Sequence, residues 1–449
     1  MRRAFSARWG LWLWPLAFFA AFAVASLIPP MQSPDEHSHV ARAYMISRGQ
    51  WLLDSPPGMS SGGLVDINLW AFFDINDIVA ADPKARLSPQ RQAQVASVRW
   101  GGREIFFQAP GTGYYSPLIY APHALGLWLG RTLNLGIAHS YQLMRAICLL
   151  SSLGLLAWAF RLVRPPVVVL ALLLLPMTVF QTILPTVDGV TTCLAVLALS
   201  LFFRLLLGKE DSVASSLLLA ASVALLASSK VNLFPLIGLP FYLAWARSSR
   251  RDAIAGVAAL LASLAWTAYA LANTVDTRVA HAHSTGELLL RYLAHPMGFV
   301  RIVWKSLMDP TVVDLYSRSF IGILGWLDAP LPPWCYQFLW IGLGLCAAAS
   351  LLAVRPGEAL LARIGLIVAG LACSGLVFLA MLVTWTRDSA EVIEGVQGRY
   401  FLIPAITLAY ALGATRAPRG WRWPGRLALC ATAGLSFYAL IVTVLARYH

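Results

Sequence analysis

The sequence predicts an all-α membrane protein of about eleven transmembrane helices, on three observations. Apolar runs long enough to cross a bilayer recur along the whole chain. Charged residues make up only 12% of the 449, where a soluble domain carries about a quarter. Lys and Arg between the runs gather on one alternating set of loops, the set that the positive-inside rule makes cytoplasmic. With 58% hydrophobic residues and a mean hydropathy of +0.67, a soluble fold is excluded.

The net charge of +13 does not require a polyanionic partner. Placing the runs leaves about 16 Lys/Arg and about 4 Asp/Glu on the cytoplasmic set of loops, so nearly all the excess reports orientation and no nucleic-acid partner is expected. Cys148, Cys193, Cys335, Cys346, Cys373 and Cys430 show no CxxC and no paired framework, and they read as small apolar core residues.

Met1-Arg2-Arg3 with Arg8 precedes the first run, from about Trp9 to Ile28. Ala23-Val24-Ala25 resembles a cleavage site, but the length and the spans that follow favour a retained first helix. The whole chain, 1–449, reads as one polytopic domain. Within it a first outer segment, 30–137, holds a Ser55-to-Gly63 loop rich in Gly, Ser and Pro. Residues 117–134, opened by Ser116-Pro117, read as a helix lying at the interface, because counting them as a span would invert every later loop.

Apolar runs recur at 139–160, 166–184, 187–207, 213–228, 232–246, 253–272, 335–354, 361–385, 400–414 and 427–446. Arg161/Arg164, Arg204/Lys209, Arg247/Arg250/Arg251, Arg355/Arg363 and Arg416/Arg419/Arg422/Arg426 then share the side of the N-terminus. A second outer segment, 273–334, carries charges, prolines and Trp; a short charged third covers 386–399. The spans read as clean of charge at their centres, with the polar residues on the outer side.

Chemistry concentrates in a few places. Ser33-Pro34-Asp35-Glu36-His37-Ser38-His39 directly follows the first helix. Ser33 with Glu36 forms a capping-box pattern, with Pro34 at the first helical position. Capping uses Glu36 and leaves Asp35 without a structural task, so two readings stand: capping alone, or capping plus a carboxylate placed to take a proton from a hydroxyl. Asp35 could equally hold Mg2+ or Mn2+, with His37 or His39 beside it, although both histidines read first as surface residues.

Lys230 sits in a tight turn, Ser228-Ser229-Lys230-Val231-Asn232, and Arg399 opens the tenth span in Gly395-Val396-Gln397-Gly398-Arg399-Tyr400-Phe401. A cation at a span end either works in a site, or snorkels to water or pairs with one of the outer acids. Arg278, Arg291, Arg301, Lys305 and Arg318 read as solvated or headgroup-facing. Asp188, in the polar turn Gln181 to Gly189, reads as a helix N-cap or as a cavity-facing acid. Tyr114-Tyr115-Ser116-Pro117 fits an aromatic belt and a helix start. No P-loop, strand-borne GxGxxG, HExxH or GxSxG is present, so ATP, nicotinamide and zinc chemistry have no support.

These landmarks resemble a bacterial family of multi-span membrane proteins of uncharacterised function within the GT-C glycosyltransferase superfamily. Carrying the resemblance are Pro34-Asp35-Glu36-His37 with Arg42-Ala43-Tyr44, Tyr115-Ser116-Pro117-Leu118-Ile119-Tyr120, Gly322-Ile323-Leu324-Gly325-Trp326-Leu327-Asp328 with Pro330-Leu331-Pro332, and Gln397-Gly398-Arg399-Tyr400-Phe401. The resemblance implies transfer of a sugar from a polyprenyl-phosphate donor to a glycan, lipid or protein acceptor on the outer face of the bacterial inner membrane. It implies Asp35, with Glu36 second, as base or metal ligand. Arg399, Lys230 and Arg318 would hold the donor phosphate. Tyr115, Gln397, Tyr400, Asp188 and Trp326 would line the cavity. Metal-dependent members carry further acidic ligands, for which only Asp188 offers itself. A flippase for lipid-linked sugars is the rival of another class, and it predicts mid-membrane charges and broken helices. A polymerase or ligase of lipid-linked glycans is the chemical neighbour.

Overall fold

The computed structural model describes residues 2–208, 212–279, 283–354, 359–413 and 422–449. Lys209, Arg355, Arg416 and Arg419 of the charge argument lie outside the described residues, as do the side chains of Arg2, Arg3, Arg8 and Arg422. Among the described residues, six helices are long and apolar enough to cross a membrane: Ile137–Leu162, Val187–Leu206, Arg250–Asn273, Pro333–Leu351, Leu360–Thr384 and Trp423–Tyr448. Leu13–Ser26, Val213–Ser229, Val231–Ala246 and Gly398–Leu412 are apolar but shorter.

Proline chemistry explains why several runs do not become long helices. The 166–184 run splits into Val167–Leu173 and Pro176–Ile183. Pro176 has no N–H to continue a helix, and it holds Leu175 extended. In the 232–246 run, a 3-10 stretch Val231–Ile237 containing Pro235 leads into Gly238–Ala246. The 400–414 run begins as a 3-10 turn, Gly398–Phe401, before Leu402–Leu412.

One charge sits well inside a long helix, against the expectation of clean spans. Arg145 is buried in Ile137–Leu162 and donates to the carbonyls of Ala25 (2.8 Å) and Ile28 (3.0 Å), where the first helix ends. A cation there satisfies acceptors that the ending helix leaves open. Arg363 does the same for Ala411 (2.6 Å) and Gly413 (2.9 Å). Arg447, near the C-terminus, pairs with Asp328 at 2.8 Å and donates to the carbonyl of Val79. Five cysteines are buried as expected, whereas Cys430 is exposed.

The 30–137 segment folds onto this end of the bundle. A two-stranded antiparallel ribbon pairs Gly62–Asp66 with Glu104–Gln108. Asp66 caps the Ile67–Ala81 helix through Asn68 N (2.9 Å) and also accepts from Gly102 N (2.9 Å). Residues 117–134 form a 3-10 turn, Pro117–Tyr120, and the helix Ala121–Thr132. The 273–334 segment is stitched to the residues leading into the first strand by Ser61 N to Val275 O (2.8 Å) and Ser60 Oγ with Thr277 Oγ1 (2.7 Å). It continues as the helices Thr285–Ala294, Pro296–Met308 and Pro310–Ile321. Phe299, Ile302, Val303 and Tyr316 close a small second core over Val377, Phe378, Leu382, Ile393 and Val396.

Candidate functional site

The segment after the first helix does not cap as the sequence suggests. The helix starts at Glu36, so Pro34 precedes it, and its N-cap is Asp35 in the left-handed region (φ 63°). Glu36 keeps its half of the capping box, accepting from Ser33 N at 3.0 Å, but the Ser33 hydroxyl has no partner. Glu36 is fully buried and also accepts from the Tyr141 hydroxyl. Its oxygens are committed inward. Asp35 points the other way, with its side chain 51% exposed. A non-glycine residue in left-handed backbone costs roughly 1–3 kcal/mol, and such strain concentrates at working sites.

Three other chain turns bring their charges to Asp35. Asp188 stands in the first turn of Val187–Leu206, whose N-cap is Thr186, so Asp188 is not the cap. The turn before it closes tightly: a Cβ on Gly189 would strike the backbone of Gln181 and Thr182. Lys230 ends the Val213–Ser229 helix in extended backbone and forms an ion pair with Asp188. Arg399 lies in the Gly398–Phe401 turn, held where Gly398 N donates to Ser319 Oγ at 2.7 Å. A Cβ on Gly398 would fall on the backbone of Tyr316 and Phe320, so only glycine allows this approach.

The geometry around Arg399 is unusual. Its side chain is 5% exposed, with Asp35 Oδ2 at 3.7 Å and Asp188 Oδ2 at 3.8 Å. Charge-assisted hydrogen bonds run to about 2.7–2.9 Å, so both carboxylates balance the guanidinium without bonding it. Arg399 Nε is buried without a hydrogen-bond partner. The guanidinium carbon stands 5.3 Å from the Tyr400 ring centre. This is a buried, planar cation that hydrogen-bonds the Tyr400 side chain and keeps one N–H, at Nε, without an acceptor.

His39 completes the floor. It is buried, not a surface residue, and its Nδ1 lies 2.8 Å from the Tyr120 hydroxyl while its ring stacks on Tyr115 at 5.9 Å. Burial pushes its pKa down to about 4, with Asp35 and Asp188 only partly offsetting the loss of solvent. His39 is therefore neutral at pH 7. Burial also pushes the Tyr115 hydroxyl up, as do the neighbouring Asp188, Tyr400 and Asp35.

Other expected residues take different places. His37 is not on the open surface: it stacks on Trp326 (centroids 5.5 Å) with Phe107 (6.3 Å) and Phe73 (6.4 Å) around it. Trp326 is fixed by Nε1 donating to Met31 O at 2.9 Å, beside the Asp35 turn. Gln397 leaves Oε1 buried without a partner. Arg318 pairs with Asp314 at 2.9 Å and covers the Tyr336 ring, away from these charges. The cation of the 273–334 segment that does face the site is Arg278, held by Asp276 at 2.6 Å. Burial opposes its charge, yet Asp276, with Asp35 and Tyr115 behind it, pushes its pKa up.

The donor set does not suit a divalent cation. Among the described residues, no three His, Cys, Asp or Glu side chains converge. Asp35 and Asp188 both face Arg399, and His37 is enclosed by aromatic rings. Hard cations need several oxygens free of competing positive charge.

Sequence reasoning missed the burial of His39, its bond to Tyr120 and the part of Arg278. The sequence signal for His39 and Tyr120 is proximity to, or membership of, the Pro34–His37 and Tyr115–Tyr120 motifs; Arg278 has no such neighbour in sequence. A family model described as "Predicted membrane protein (DUF2142)" matches residues 16–408. No curated protein and no solved structure matches the chain.

Proposed function

The chain belongs to the DUF2142 family of predicted membrane proteins, and we propose that it is a membrane glycosyltransferase using a polyprenyl-phosphate sugar donor. In this reading the short apolar helices complete about eleven crossings. The N-terminus is cytoplasmic, and the site faces outward from a bacterial inner membrane. The family description assigns no chemistry, so the proposal rests on the site.

The observation that carries it is Arg399, a buried guanidinium between Asp35 and Asp188 with Nε unbonded. A lipid phosphate entering between helices supplies an oxyanion to this guanidinium, whose Nε has no acceptor. Lys230 and Arg278 add positive charge, in place of Arg318. Exposed Asp35 takes the proton of the acceptor hydroxyl as its oxygen bonds the anomeric carbon. The bond from that carbon to the phosphate oxygen breaks, and the phosphate leaves with the electron pair. Attack opposite the leaving group inverts the centre through an oxocarbenium-like state. Arg399 and Lys230 meet the charge developing on the phosphate. The acceptor is a glycan, lipid or protein hydroxyl, and no step uses a metal.

A flippase for lipid-linked sugars is the second reading. The discontinuous helices Pro176–Ile183 and Val231–Ala246, which border Asp188 and Lys230, favour it. Purified protein in nanodiscs, given a panel of polyprenyl-phosphate sugars and acceptors, tests both readings. A new glycosidic product supports the transferase. Movement of unaltered donor between leaflets of proteoliposomes, without product, would replace it with the flippase.

A further inference from the structure

The helix Pro296–Met308 carries two opposed apolar faces. The inner face, with Phe299, Ile302 and Val303, packs on the second core. Ser306, on the same side, accepts from Ile393 N at 2.9 Å. The outer face leaves Met297 73% and Trp304 62% exposed, with Met308, Val300 and Leu307 beside them. At about 3.6 residues per turn, Met297, Trp304 and Met308 fall within about 40° of one line. Val300 and Leu307 flank that line on one side, and Arg301 and Lys305 on the other. The neighbouring helix Thr285–Ala294 exposes Leu290 and Leu293 in the same manner.

We propose that these two helices lie in the headgroup–acyl boundary of the lipid bilayer as an interfacial shelf. Phospholipid is the occupant because the outer face continues the belt of bare apolar side chains on the spans. Val368 and Leu371 of Leu360–Thr384, the helix under the second core, are exposed in the same way. The split flanks give the direction of insertion. Val300 and Leu307 face the acyl chains, and Arg301 and Lys305 rise to the headgroups along aliphatic stems. Trp304 sits between, where an indole prefers the interface. A surface depression of about 420 Å³, lined by Trp304, Lys305, Met308, Asp309, Glu391 and Val392, stands at that level. Acids and cations alternate here, with Lys305 3.7 Å from Glu391, so the shelf needs a bilayer and not an anionic lipid.

The shelf also bears on the site. Pro310–Ile321 follows it directly, and Ser319 of that helix holds Gly398, next to Arg399. Seating in the leaflet thus fixes the depth of the Arg399 turn. The inference stands whether or not the chain transfers sugar.

The test uses full-length protein in nanodiscs, with the exposed thiol removed by C430S. Single cysteines at M297C and W304C are compared with R301C and K305C. Each is labelled with a membrane-impermeant maleimide, then with a fluorophore in discs holding spin-labelled phosphatidylcholine. The shelf predicts about tenfold slower labelling and strong lipid quenching at 297 and 304, with fast labelling at 301 and 305. Fast labelling and no quenching at all four positions would overturn it. So would slow labelling without quenching at 297 and 304 that depends on protein concentration, because a second copy would then cover the face. Two positions on the apolar line and two on the basic flank keep the comparison usable if one variant folds poorly.

Discussion

Replacing Asp188 by Asn tests whether the buried charges act as one balanced set. Asp35 and Asp188 oppose Lys230 and Arg399, so the cluster is neutral, with His39 neutral beside it. Asp188→Asn keeps the shape and leaves one uncompensated positive charge. The Asp188, Lys230 and Arg399 side chains are only 19%, 15% and 5% exposed, so water screens the excess poorly. Removing one partner of a fully buried pair costs about 3–5 kcal/mol. One-fifth exposure of Asp188 puts the loss here near the lower limit, about 3 kcal/mol. For a chain of this size that lowers the melting temperature by about 3 °C in detergent. The double variant Asp188→Asn/Lys230→Met restores neutrality and should regain most of the loss, since well-packed neutral replacements of a buried pair are near neutral. The assay is thermal unfolding followed by tryptophan fluorescence. An unchanged melting temperature in the single variant, or additive losses in the double, would refute the charge-balance argument.

Three further outcomes follow from the same geometry. Burial holds His39 down to about 4 and His123 to about 3, both from 6.5. The unfolded chain therefore binds protons that the folded chain refuses as pH falls from 6.5 toward 4, and stability drops in that window. His39→Gln should flatten the slope of stability against pH by about one proton, and an unchanged slope contradicts the buried neutral ring. Gly398→Ala forces a Cβ onto the Tyr316–Phe320 backbone, costing about 1–3 kcal/mol or more; a wild-type melting temperature would mean that the turn sits elsewhere. Arg145→Met leaves the Ala25 and Ile28 carbonyls without their donor, a loss of about 2–3 kcal/mol read by the same unfolding assay.

The membrane class and helix positions were legible because apolar runs and basic loops are strong, local signals. Ile137–Leu162 and Leu360–Thr384 lie within a few residues of their runs. The breaks at Pro176 and Pro235 were less legible, because composition measures apolarity while helix continuity depends on a missing N–H and a proline ring. Within the site, Asp35, Asp188, Lys230 and Arg399 each drew attention as charges at span ends, yet nothing in the sequence says that they meet. That juxtaposition comes from four separate turns. The capping-box spacing already separates Glu36 from Asp35 in sequence, but it does not say where either carboxylate points. Only the left-handed backbone at Asp35 sends one carboxylate inward to Ser33 N and the other outward to Arg399. His39 looks like a surface residue until the Tyr115–Tyr120 turn covers it.

The most direct test of the proposed chemistry compares wild type with Asp35→Asn in donor-dependent sugar transfer, with melting temperature measured on the same samples. Asp35 is half exposed, unlike Asp188, so water screens the charge its loss uncovers and folding should change little. Loss of a general base should lower the rate about a hundredfold to ten-thousandfold. Full transfer by a well-folded Asp35→Asn protein would contradict the account.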